Sequence, residues 1–343
     1  MRKNTARPFR GMWRSALFAA VLMIFLLYIP TPFAAVEPGI AEPVTSMVKV
    51  AAGDPPGQGV FMLTTVRMSF ANYLTVASSI WKKDLVLFRK KDILGGKSQA
   101  EYAERLVYVM QNSQSNAVEA AYRQLGIHYR LQPQRLVVTD VSPQLENGTF
   151  RAGDVLVSLN AHEVKDAASA AGLLMKHPPD EPLRLVVLRQ GERASFEHRL
   201  VQPVTDAAGK DMPKALGGVQ LTEIRNVVPD NEAHEVTIAA GEIGGPSAGI
   251  MFALQTIDYL TPGDLANGRK VAGTGTIGTD GRIGPIGSIS LKVMAAHDKG
   301  AELFLAPREN VQEAREAAAL IGTNMRIEPV ETLAQALEVL GTP

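Results

Sequence analysis

From Val219 to the end of the chain, short β-branched runs alternate with longer helical ones. Val236–Ala240, Val271–Gly275 and Leu303–Ala306 read as strands. Ser247–Leu260, Leu291–Asp298, Val311–Leu320 and Leu333–Leu340 read as helices. Such alternation builds a layered α/β domain, because each strand needs helices to cover its faces. It also places the stretch Gly244-Gly245-Pro246-Ser247-Ala248-Gly249 at the junction of a strand and an apolar helix. Gly245 lets another backbone approach closely, and Pro246 fixes the turn. Ser247 then falls at the helix N-terminus, where free N–H groups and the positive dipole end can stabilise an oxyanion. Serine is equally a favoured helix N-cap, so this pattern alone does not separate nucleophile from cap.

Lys292 is the second polar residue of interest. It lies in Ile289-Ser290-Leu291-Lys292-Val293-Met294-Ala295-Ala296, an otherwise apolar helical stretch. A lysine facing a dry site has its charged form destabilised, which lowers its pKa and lets it accept a serine proton. The plainer reading is a lysine that snorkels to solvent.

These segments resemble the proteolytic domain of Lon-type proteases. The resemblance rests on Gly245-Pro246-Ser247-Ala248-Gly249, Ala272-Gly273-Thr274-Gly275-Thr276-Ile277 and Gly284-Pro285-Ile286-Gly287. Lys292-Val293-Met294-Ala295-Ala296-His297 and Pro307-Arg308-Glu309-Asn310 complete it, in the family's order. It implies Ser247 as nucleophile, Lys292 as general base and Thr274 as the hydroxyl that holds the lysine, with Gly245 and Pro246 supporting the turn. Many Lon proteases carry Asp three residues before the serine, where this chain has Gly244. Lon relatives form rings, which leaves self-association of this chain open.

Two rivals stand beside that reading. Gly245–Gly249 also fits the G-x-S-x-G elbow of α/β-hydrolases, with Asp280 and His297 in the right order for a triad. That fold, however, needs several parallel strands before the serine. The other rival is not an enzyme: a peptide-binding adaptor whose protease domain has decayed.

Upstream, Leu136–Val141 and Val155–Leu159 read as strands, and Asp166 as the cap of a helix over 167–176. Leu183–Arg189 and Ala194–Leu200 form a hairpin around Gln190-Gly191-Glu192. This order, centred on Ala152-Gly153-Asp154-Val155-Leu156-Val157-Ser158-Leu159-Asn160, resembles a PDZ domain over 126–203. PDZ domains bind a peptide as an added strand. The resemblance places that groove between Leu136–Thr139 and Ala168–Met175. Gln132-Pro133-Gln134-Arg135 occupies the place of the usual Gly-rich carboxylate loop, so capture of a free C-terminus is not implied.

At the N-terminus, Arg2, Lys3, Arg7, Arg10 and Arg14 precede the apolar run Ala16–Ile29, and no acidic residue appears before Glu37. A basic flank before an apolar segment is a membrane-insertion signal, with the flank retained in the cytoplasm. Residues 1–14 are the expected cytoplasmic tail, 15–35 a transmembrane anchor or signal, and 36–59 a Pro- and Gly-rich linker. A cleavable signal fits less well than an anchor, because Phe33 or Pro32 would occupy a small-residue site. Val60–Val66 reads as a strand and 70–124 as helical, so 60–125 is a separate strand and helical segment. With the PDZ-like region at 126–203 and the protease domain at 217–343, the expected class is α+β. The whole resembles membrane-anchored, PDZ-containing Lon-like proteases, an arrangement that implies the strand at 60–66 packs in the protease domain and the PDZ region is inserted. The expected partners are a protein or peptide substrate, a peptide segment in the groove, and the membrane.

Other classes are disfavoured. The 35 basic and 35 acidic residues balance, which gives no long-range pull toward nucleic acid, and with no cysteine there is no thiol nucleophile or disulfide. The histidines at 128, 162, 177, 198 and 234 show no metal-ligand spacing. Gly95-Gly96-Lys97-Ser98 lacks the earlier glycine of a phosphate loop, since Lys91 sits there, and reads as a polar turn. No cofactor is expected, and cleavage is expected to proceed without ATP.

Overall fold

The computed structural model describes residues 7–142, 145, 149–241 and 243–341, apart from the side chains of 7–11. Arg2 and Lys3 of the basic tail lie outside them. The chain forms two compact units, Met1–Pro38 with Val66–Gly96, and Gly39–Thr65 with Lys97–Pro343.

Helix α1 (Arg7–Tyr28) begins inside the basic tail and stops before Ile29-Pro30, as helices do ahead of a proline. Among the described residues no helix is long and apolar enough to cross a membrane. Residues 33–35, expected as the end of the anchor, instead open strand β1 (Phe33–Pro43). Strand β2 (Val48–Val50) also lies in the stretch expected as a linker, and β3 (Val60–Phe70) follows. The Pro, Gly and Ala that read as a linker are small residues used for close packing. Ala41, Val44 and Val48 are buried, and Gly39 abuts Thr65 so closely that a Cβ would clash.

The expectation of helix throughout 70–124 also needs correction. After the short α2 (Tyr73–Ser78) the chain forms strand β4 (Val86–Arg89), which pairs antiparallel with Phe33–Val36, and then α3 (Lys90–Leu94). An apolar run as short as Leu85–Phe88 does not reveal its period. Leu85, Ala35 and Ala71 share a small core.

Helix α4 (Gln99–Leu125) starts at a capping box between Ser98 and Glu101. Gly95, left-handed, ends α3, so 95–98 runs from one helix cap to the next rather than cradling a phosphate. Next come β5 (Tyr129–Val141), β6 (Val155–Leu159), β7 (His162–Glu163), α5 (Ala167–Leu174), β8 (Leu183–Arg189), β9 (Glu192–His198), α6 (Met212–Ala215) and β10 (Val219–Pro229). Five strands make a sheet in the order β10-β5-β6-β8-β9, with β7 beside β6, over a core that includes Leu136, Val138, Leu156, Leu174 and Leu185. Asp166 caps α5 as expected. Buried Asp154, from the Gly-Asp turn, takes a double hydrogen bond from Arg189 of the β8–β9 hairpin at 2.8 Å.

The groove expected along Leu136–Thr139 is not open. Leu136 pairs with Glu223 of β10 on one side and Leu156 of β6 on the other. The strand expected to begin the α/β part is therefore the outer strand of this sheet. Left-handed Gly217 and Gly218 after α6 turn the chain back to lay it there.

The rest of the chain is β11 (Val236–Ile238), α7 (Gly249–Leu260), β12 (Lys270–Gly273), β13 (Thr276–Ile277), β14 (Ile283–Gly284), α8 (Ile289–Asp298), β15 (Leu303–Pro307), α9 (Val311–Ile321), β16 (Arg326–Val330) and α10 (Leu333–Leu340). Its sheet runs β16-β15-β12-β3-β1. Val60–Leu63 of β3 pair in parallel with Lys270–Gly273 of β12, so the sheet of β5–β10 is inserted within this α/β layer. Phe61, Leu63, Phe252, Leu254, Val271 and Leu305 fill the core between the layers.

Candidate active site

Ser247 sits in a single 3-10 turn, Pro246–Ala248, that leads straight into α7. The turn starts from Gly245, whose φ of 90° suits glycine. Gly249 is dictated by crowding, since a Cβ there would lie 2.7 Å from Ile277 and 2.9 Å from Ser113 Oγ. Among the described residues the Ser247 side chain caps no backbone N–H, so the N-cap reading fails. Its backbone carbonyl is held instead, accepting from the Gly275 N–H at 2.8 Å and from Thr274 Oγ1 at 3.0 Å.

Lys292 is on α8, only 4% exposed. The loop before α8 is clamped by Asn310, which donates to the Ile286 carbonyl and accepts from its N–H. That clamp gives the Pro-Arg-Glu-Asn motif its structural purpose. Lys292 Nζ lies 2.6 Å from Ser247 Oγ and 3.0 Å from Thr274 Oγ1. Burial pushes its pKa down from 10.5 to about 8, because the charged form loses its water. Among the described residues no carboxylate forms an ion pair with it.

The hydrogen bonds assign directions. Thr274 is fully buried and gives its one hydroxyl proton to the Ser247 carbonyl. Toward Lys292 it can therefore only accept. A neutral Lys292 that donates to Thr274 is left with its lone pair free for the Ser247 hydroxyl. Half-buried Ser247 remains reachable from outside. The arrangement can activate an alcohol for attack on a carbonyl.

The rival triad does not assemble. Exposed His297 bonds Thr323 Oγ1 at 2.9 Å, and exposed Asp280 pairs with Arg282 at 3.4 Å. His297→Ala is expected to leave turnover within about twofold of wild type, as for a surface substitution away from the chemistry. A loss on the scale of Lys292→Ala would restore the triad.

The sequence did not reveal what α4 does here. Its buried Ser113 donates to the Pro246 carbonyl at 3.0 Å, and Asn116 Nδ2 to the Ile277 carbonyl at 3.2 Å. One turn on, buried Glu119 pairs with Arg225 of β10 at 2.9 Å. The available signal was a run of polar residues on the apolar stripe of a long helix.

Fold and site together define a hydrolase domain built on a serine and a buried lysine, carrying an inserted antiparallel sheet. Comparison with known proteins makes that specific. Residues 221–341 match the Lon protease (S16) C-terminal proteolytic domain, and 124–200 match the PDZ domain. The chain thus carries a Lon-type serine endopeptidase domain and a PDZ domain. Similar proteins include the Lon protease of Haemophilus influenzae, 38% identical over 93 residues, covering 27% of this chain and 11% of that protein. The Lon protease of Fervidobacterium nodosum is 30% identical over 138 residues, covering 38% and 17%. Lon protease 1 of Thermus thermophilus is 35% identical over 96 residues, covering 28% and 12%. The chain spans less than a fifth of the length of these relatives.

Proposed function

We propose that this chain is a membrane-tethered serine endopeptidase that cleaves exported or membrane-proximal proteins without ATP. Ser247 Oγ bonds to the scissile carbonyl carbon as its proton passes to Lys292 Nζ. The lysine returns that proton to the leaving amine as the C–N bond breaks, which leaves an ester on Ser247. Water, deprotonated by the same lysine, then releases the acid and frees the serine. The positive end of α7 lies at Ser247 and favours the oxyanion. The observation that carries this reading is the buried amine of Lys292, 2.6 Å from Ser247 Oγ.

The basic flank and the apolar residues of α1 support the tether, with the N-terminus cytoplasmic and the catalytic domain outside. Placement outside the membrane, where ATP is scarce, supports cleavage without ATP, which favours flexible or already exposed segments. Substrate is presented by adding as a strand to the free edge of β10, beside α5. The two elements are joined where the Ala167 N–H donates to the Glu223 carboxylate at 2.8 Å. Internal segments suit this edge better than free C-termini. The N–H groups of Gly217 and Gly218 are already spent on the Lys214 and Pro213 carbonyls of α6.

The test is the full chain in mild detergent with unfolded casein. Wild type is expected to release fragments, and Ser247→Ala none. Equal outcomes for the two would favour the non-enzymatic adaptor.

A further inference from the structure

Among the described residues outside α1, Ile80 is the most exposed large apolar side chain, at 83%, and its neighbour Trp81 is 69% exposed. Both lie in the first unit, at a turn where the chain leaves α2. Val76 of α2 packs toward the core with Ala71 and Leu85, which directs Tyr73 and Leu74 outward. The helix then ends in a tight turn, with the Ile80 and Trp81 N–H groups reaching back to Ala77 and Ser78, and this throws both side chains into the open. Loop tips in contact with water are ordinarily polar. A clustered apolar exposure marks a surface that meets a partner.

Three observations choose the partner. The patch is continuous with α1, because Phe25 stacks on Tyr73 with ring centroids 5.4 Å apart. Along α1, Trp13, Leu17 and Phe18 are each about two-thirds or more exposed. The turn continues into Lys82 and Lys83. Residues 66–96 as a whole hold six cations (Arg67, Lys82, Lys83, Arg89, Lys90, Lys91) against Asp84 and Asp92, in a chain whose net charge is zero. Lysine is depleted from the core of protein–protein interfaces, whereas tryptophan and tyrosine beside lysine are the composition of the bilayer headgroup region.

We infer that α2 and the turn Ile80-Trp81-Lys82-Lys83 form a surface that rests on an anionic lipid bilayer, seating Ile80 and Trp81 among the headgroups. This rests on the membrane reading of α1 and extends it from a tether to a second, folded contact. The second contact would restrict how the first unit can tilt on its tether.

The chain has two tryptophans, and they separate the two claims. Trp13→Phe leaves Trp81 as the reporter of the docking surface, and Trp81→Phe leaves Trp13 as the reporter of α1. Each full-length variant is reconstituted into vesicles of phosphatidylcholine and phosphatidylglycerol, with and without acyl-chain bromination. Trp81 is expected to shift to the blue and lose about half its emission to bromine, as for a ring seated roughly 5–10 Å into the headgroup–acyl boundary. Adding Ile80→Ser, Lys82→Glu and Lys83→Glu to the Trp13→Phe chain should abolish that quenching, while casein cleavage is unchanged. Quenching of Trp13 without Trp81 would overturn the docking surface and leave the tether standing. An unquenched Trp13 would sink the tether reading. A Trp81 blue shift that follows protein concentration in lipid-free detergent would mean that a second copy covers the patch, and would also overturn the proposal.

Discussion

Replacing Lys292 by methionine is expected to lower cleavage of unfolded protein by about 10³–10⁴-fold or more, the scale for losing a base that activates a nucleophile, and to raise thermal stability. The two effects share a cause. The amine is buried with two hydroxyls as its only hydrogen-bond partners among the described residues. Its value falls from 10.5 to about 8, so its protonated form is destabilised by roughly 3 kcal/mol at about 1.4 kcal/mol per decade. Between about 8 and 10.5 the unfolded chain holds the proton and the folded one does not, so this group stabilises the fold as pH rises through that window. Below about 8 both states are protonated and the fold carries the whole penalty. Methionine removes it, so the gain in melting temperature should be largest at neutral pH and shrink as pH rises above 8. For wild type, kcat/KM should climb with pH and level off above about 8, since only the neutral amine can take the serine proton. A pH-independent rate between 6 and 9 would mean that the lysine is not the base, and a methionine variant no more stable at pH 7 would mean that it is not strained by burial.

What could be read from the residues follows from how local each feature is. Ser247, Thr274 and Lys292 lie on a 3-10 turn, the loop after β12 and helix α8, yet each is embedded in a short motif whose order survives in one dimension. Their meeting within 3.0 Å was therefore legible. The insertion was legible only through the family resemblance, since the strand-like run of β3 does not by itself say that it joins β12. Three features were not. The stretch 36–59 hid β1 and β2, because small residues chosen for close packing have the composition of a linker. Strand β4 is too short to show a period. The role of β10 depended on long-range pairing, since nothing local in Val219–Pro229 says that it lies against β5 rather than in the α/β sheet. The groove expected along Leu136–Thr139 fails for that reason, because β10 already pairs with that strand.

The same strand yields the second large effect. Arg225→Met should lower stability by about 3 kcal/mol, the scale for leaving a buried carboxylate short of its partner. Glu119 is 2% exposed and takes Arg225 at 2.9 Å on one oxygen. Its other oxygen keeps Arg123 at 2.9 Å and Tyr129 at 3.0 Å, which holds the loss to the lower end of the range for buried pairs. Methionine matches the stem of arginine in bulk, so the change tests charge rather than packing. Glu119→Gln in the same chain removes the stranded charge, and the double variant should recover more than half of the loss. Additive losses would show that the pair is not coupled. Activity should fall as well, at temperatures where the variant is still folded. Arg225 also donates to Asn116 Oδ1 at 3.2 Å, and Asn116 holds the Ile277 carbonyl beside the crowded face of Gly249. Ser115 donates to the Arg225 carbonyl at 2.7 Å, two residues along α4 from the serine that holds Pro246. The outer strand of the PDZ sheet and the turn that carries Ser247 are thus fastened to one stretch of one helix. If that helix only fills space, Arg225→Met will melt earlier and cleave normally at low temperature; if it positions the turn, kcat will fall with KM little changed.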